Sequence, residues 1–124
     1  MPYPVSTGPV IGEWNYAAAT TGITNTTTAV TFKAASGAGN RNYITSIQVV
    51  AEALGAATEL AIRDGAGGTV LWRIKIGTGG LTNGVAVEFQ TPIAGTANTL
   101  LEVVTLTASV TGAVYFNAQG FTAA

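Results

Sequence analysis

From Thr69 to Ile76 the chain sets Val70, Trp72, Ile74 and Ile76 at one parity and Leu71, Arg73 and Lys75 at the other. A period of two is the spacing of a strand with one buried face, because successive side chains leave a strand on opposite sides. A helix needs apolar positions three and four apart, and it tolerates β-branched residues and glycine poorly. Just upstream, Asp64-Gly-Ala-Gly-Gly68 supplies residues that accept positive φ, as a tight hairpin connection requires. Thr58–Arg63 forms the other arm, with Leu60 and Ile62 opposite Glu59, Ala61 and Arg63.

The same alternation recurs between turn signals along the chain. Trp14–Ala19 predicts a first strand, and Thr20–Thr28 a polar loop. Ala29–Ala34 follows, with Val30 and Phe32 on one face, and Ser36–Asn42 reads as a loop. Tyr43–Ala53 predicts a long strand, with Tyr43, Thr45, Ile47 and Val49 on one face and Ile44, Ser46, Gln48 and Val50 on the other. After the hairpin, Gly77–Gly84 reads as a loop and Val85–Gln90 as a strand with Val85, Val87 and Phe89 inward, ended by Pro92 and Gly95. Leu100–Thr107 and Ala113–Phe121 complete the set, the last placing Val114, Phe116 and Ala118 against Tyr115, Asn117 and Gln119. These strands predict an all-β fold, a two-sheet antiparallel β-sandwich. The expected form is an eight-stranded jelly roll, with an immunoglobulin-like sandwich as the alternative.

A chain of 124 residues is one domain by size. Residues 1–13 differ from the rest, carrying Pro2, Pro4 and Pro9. Proline lacks an amide donor and fixes φ, so this stretch reads as an extended N-terminal arm ahead of a sandwich domain over 14–124. Tyr3, Val5, Val10 and Ile11 give the arm apolar groups that a merely solvated tail does not need. It either docks on a neighbouring subunit or folds back on its own domain.

Histidine and cysteine are both absent. That removes the commonest general base and metal ligand, the Ser-His and Cys-His nucleophile arrangements, and any disulfide or thiolate site. Six carboxylates remain: Glu13, Glu52, Glu59, Asp64, Glu88 and Glu102. Glu88 and Glu102 both fall mid-strand and are the one pair worth weighing for glycoside hydrolysis, which needs two carboxyls flanking one bond. Ordinary solvent-face carboxylates account for them better. Asp64 stands alone among glycines, without the alternating oxygen ligands of a calcium loop, and reads as a turn residue. Gly37-Ala-Gly39 and Gly77-Thr-Gly-Gly80 lack the Lys-Ser/Thr and helix of a phosphate loop. No catalytic residue, cofactor or metal is expected.

Charged residues make up 9% of the chain, where soluble domains typically carry about one-quarter, and net charge is −1. Lys33, Arg41, Arg63, Arg73 and Lys75 are scattered, with no basic stripe for nucleic acid. A charge-poor surface rich in Gly, Ala and Thr favours association between copies. The first residues show neither a charged nor an apolar region of a signal peptide, and no uninterrupted apolar run is long enough for a membrane span. Synthesis in a cytoplasm is expected.

Five segments together carry a resemblance: Asn42–Val50, Thr58–Gly65, Thr69–Arg73, Thr91–Leu100 and Val114–Phe121. Within them Tyr43-Ile-Thr-Ser46, Asp64-Gly65, Leu71-Trp-Arg73 and Asn117-Ala-Gln-Gly-Phe121 occur in that order. The ordered set resembles small structural proteins of tailed bacteriophages, of the capsid decoration (cement) type. The resemblance implies a jelly-roll body, and dimers or trimers at symmetry axes of a shell of major capsid protein. It implies no catalytic residues, and it does not extend to the first forty residues.

A decoration protein must clamp neighbouring subunits, and many weak identical contacts achieve this through avidity. Tyr3, Pro4, Val5, Val10, Ile11 and Trp14 are therefore expected to form part of the contact with the shell. Two other assignments fit the same fold class. One is a tail-tip, fibre-head or baseplate component. The other is a carbohydrate-binding module, which would stack sugars on some of Tyr3, Trp14, Tyr16, Tyr43, Trp72 and Tyr115.

Overall fold

Asp64–Gly68 closes the expected hairpin, and every other strand pair nests around it. The computed structural model describes residues 10–24, 27–107 and 111–124. In those residues the strands are β1 (Val10–Tyr16), β2 (Ile23–Thr24), β3 (Val30–Lys33), β4 (Arg41–Ala51), β5 (Thr58–Asp64), β6 (Thr69–Ile76), β7 (Leu81–Ala94), β8 (Leu101–Thr105) and β9 (Ala113–Ala123). One sheet runs β1-β9-β4-β7, and the other β3-β8-β5-β6. All pairings are antiparallel.

Read from the hairpin outward, β5 pairs β6, β4 pairs β7, β3 pairs β8 and β1 pairs β9. That nesting is one long antiparallel ribbon rolled into two sheets, which is the jelly roll. The immunoglobulin-like alternative is excluded, because only β5 and β6 are consecutive neighbours within a sheet. Strand β2 occupies no position of its own: it pairs Ile23 and Thr24 with Val114 and Ala113, continuing along β9 where β1 leaves it. Between them Gly22, at φ 63, closes a turn by donating its N–H to the Ala19 carbonyl at 2.9 Å.

The core lies between the sheets. Ile44, Ile47, Val49, Phe116, Ala118 and Val114 from one sheet meet Phe32, Leu60, Ile62, Ile76, Leu101 and Val103 from the other. Removing each large side chain from water contributes roughly 1.5–3 kcal/mol. The inward parity expected for Ala113–Phe121 holds, with Val114, Phe116 and Ala118 all buried.

Bulges in the pairing and the bounds of two strands depart from the sequence expectation. In β4, Thr45 has no partner between Ile44 and Ser46, so the alternation changes phase there. Ile44 therefore shares the core face with Ile47 and Val49, while Tyr43, expected on that face, lies outside and stacks on Phe121 with centroids 4.7 Å apart. Thr45 Oγ1 donates to the Gln119 carbonyl at 3.0 Å. In β6, Ile62 faces Trp72 while Arg63 faces Val70, leaving Leu71 as the extra residue. Leu71 packs against the core with Trp72 and Ile74, and Val70 lies beside Arg63 instead.

Strand β7 begins before the expected Val85 and continues through Pro92. It is an edge strand, and its register jumps from Ser46↔Glu88 to Ile44↔Ile93, so Pro92 sits where no ladder bond is needed. Strand β1 starts at Val10 rather than Trp14 and ends at Tyr16. The Asn117 side chain takes over where it ends, accepting a hydrogen bond from the Ala18 N–H at 2.9 Å.

Candidate functional site

Residues 10–13, expected in the arm, belong to β1 and lie against β9, while Tyr3, Pro4 and Val5 fall outside the described residues. Strand β1 forms one border of its sheet, and among the described residues its outer edge has no strand partner. Ile11 is the extra residue of a bulge, between Val10↔Ala123 and Gly12↔Thr122. Val10 and Ile11 are both open to solvent, at 50% and 59% exposure.

Trp14 is placed differently from these two. It is half-buried against the core, with its ring centroid 6.1 Å from that of Phe32. Tyr16, Phe32 and Phe116 continue the cluster, Phe32 and Phe116 at 5.0 Å. The indole Nε1 of Trp14 is buried without a hydrogen-bond partner. Shallow depressions lie on either side of the Glu13–Trp14 ridge. One, of about 350 Å³, is lined by Asn15, Thr45, Gln119 and Gly120; the other, of about 250 Å³, by Ile11, Gly12, Lys33, Ser36 and Thr122.

The carboxylates weighed for chemistry are spread apart. Glu88 is exposed on β7 and Glu102 is on β8, in the opposite sheet. Glu102 is also no solvent-face residue: it is buried, accepting from Arg63 Nε at 2.6 Å and the Gly67 N–H at 3.0 Å, with Arg63 forming an ion pair to it. Pairing explains the difference, since Arg63 and Glu102 are register partners and the β5–β6 turn folds over them. Asp64 accepts from the Thr96 N–H at 3.0 Å and Thr96 Oγ1 at 2.6 Å, which ties the β7–β8 loop to the hairpin. Glu52 accepts from the Ala113 N–H at 2.9 Å, and Glu59 pairs with Arg73 at 3.3 Å. Among the described residues no three His, Cys, Asp or Glu side chains converge to hold a metal ion.

Among the described residues the aromatic rings form no common platform. Trp14, Tyr16 and Trp72 pack on the core, and Tyr43 is buried against Phe121. Tyr115 is half-buried, beside Gly22. Sequence reasoning missed the polar joints that hold the surface together. Buried Asn42 donates from Nδ2 to the Ala34 carbonyl at 2.9 Å and accepts at Oδ1 from Thr122 Oγ1 at 2.8 Å and from Ser36 Oγ. Gln119 links Ser46, Gln48 and Asn15 across three strands. The Thr122 partner of Asn42 and the partners of Gln119 are remote in sequence, so no local signal marks these joints.

No family model matches the chain, and no curated protein matches it in sequence. Two solved structures are similar to it at low scores. The coat protein of Tobacco streak virus has 16% identity and a TM-score of 0.35, over 94% of this chain and 83% of that one. The infectious bursal disease virus VP2 subviral particle has 16% identity and a TM-score of 0.29, over 97% of this chain and 32% of that one.

Proposed function

We propose that this chain is a structural protein of a virus particle, specifically a bacteriophage capsid decoration (cement) protein. In this reading it binds the outside of a shell of major capsid protein as a homo-trimer or homo-dimer, is made in the host cytoplasm, and stabilises the shell. The observation that carries the reading is the pair of adjacent exposed side chains, Val10 and Ile11, on β1, which borders its sheet among the described residues. Covering each removes apolar surface from water, a gain of about 1–2 kcal/mol per side chain. Repetition over many copies turns such small gains into firm attachment. In this reading Tyr3, Pro4 and Val5, which precede Val10 in the sequence, belong to the same contact, and Trp14 sets the position of β1 by packing on the core.

The resemblance to decoration proteins over Asn42–Phe121 supports the same reading, as does the low charge of the surface. The test is electron microscopy of particles carrying the chain, with binding of purified chain to expanded shells. Density at symmetry axes of the shell and a raised shell melting temperature are expected. Density confined to the tail, or no binding to shells, overturns the decoration role.

A further inference from the structure

Asn83-Gly84 is the single Asn-Gly pair in the chain. It lies in β7 where the pairing with β4 runs from Val49↔Val85 to Ala51↔Leu81, so three residues of β7 face Val50 alone. Gly84 takes φ 73 in this bulge, and Asn83 is exposed on β7, which borders its sheet among the described residues. The other asparagines of the described residues are tied by their side chains. Asn15 bonds Gln119, Asn40 bonds Ser36, Asn42 bonds Ala34 and Thr122, Asn98 bonds Gly37 and Asn117 bonds Ala18. Asn83 alone among them makes no side-chain hydrogen bond.

We propose that Asn83 is a site of spontaneous deamidation, with water as the co-reactant. The Gly84 backbone nitrogen attacks Asn83 Cγ; the bond from Cγ to the amide nitrogen breaks, and ammonia leaves carrying the Gly84 amide proton. Water then opens the resulting five-membered imide at either carbonyl, leaving aspartate or isoaspartate and restoring the Gly84 N–H. Glycine permits this because no Cβ shields its nitrogen, and the bulge releases the pair from the regular ladder that holds a strand extended. The product carries a seventh carboxylate against five cations, so net charge moves from −1 to −2. It does so at an edge whose one other charge is Glu88.

The full chain, kept folded at mildly alkaline pH, is followed by anion exchange and peptide mass spectrometry. The expected result is a later-eluting form, with a gain of one mass unit in the peptide holding Asn83 ahead of any other asparagine, and part of it as isoaspartate. In Asn83→Gln, whose cyclisation would need a larger ring, that form disappears. Three results overturn the proposal: another asparagine converting first, persistence of the acidic form in Asn83→Gln, or conversion of Asn83 in the denatured chain but not in the folded one.

Discussion

Gly120 lies directly against the indole of Trp14: a Cβ placed on Gly120 would come within 2.4 Å of Trp14 Cζ2 and 2.0 Å of the Tyr43 carbonyl oxygen. The two residues are register partners on β1 and β9, so the missing side chain is what lets Trp14 close the border of the core. Gly120→Ala is expected to destabilise the domain by about 3 kcal/mol, through overpacking against backbone that cannot yield. Denaturant unfolding followed by tryptophan fluorescence measures this. A loss below about 1 kcal/mol would show that β9 has room to shift.

Arg63, half-buried, pairs with the buried carboxylate of Glu102, with side-chain exposures of 21% and 5%. Removing one partner strands the other charge, so Arg63→Ala is expected to cost roughly 2–4 kcal/mol. Replacing both with Met should recover most of that loss, because the penalty lies in the unpaired carboxylate. A double-mutant cycle in chemical denaturation reads the coupling, and additive single losses would refute it.

Asn42 joins the β3–β4 connection, through Ala34 and Ser36, to Thr122 near the end of β9. Asn42→Ala leaves those groups unpaired in a buried setting, at an expected cost of about 3 kcal/mol. Limited proteolysis adds a local readout, with faster cleavage expected within residues 36–40. Unchanged cleavage there would separate the loop from this joint.

Val10→Asp with Ile11→Asp alters two exposed side chains without touching the core. Stability is expected to stay within about 0.5 kcal/mol of the parent. Sedimentation with shells should show binding weakened at least roughly tenfold, the equivalent of losing about 1.4 kcal/mol of contact. Full binding by the folded variant would remove the β1 edge from the interface.

The β-sandwich body was legible because its carriers are local, whereas the choice between jelly roll and immunoglobulin-like sandwich was not. Alternation marked the hairpin pairing of Thr58–Asp64 with Thr69–Ile76 and the inward set Val114, Phe116 and Ala118; the pairing and the inward set are found, while the phase within the hairpin shifts at Leu71. The candidate contact was legible only as a list of apolar residues near the proline-rich start. That list did not distinguish Val10 and Ile11, which face solvent, from Trp14, which faces the core.

Side-chain period, turn chemistry and the absence of histidine and cysteine are properties of the chain as written, and they were enough to determine an all-β sandwich without thiol or imidazole chemistry. Strand order, the phase changes at Thr45 and Leu71, the passage of β7 through Pro92 and the burial of Glu102 were decided by the tertiary structure. An alternating pattern says that a residue has two sides. Which side is inside depends on the extra residues that pairing admits and on partners distant in sequence, and these are set only when the sheets form.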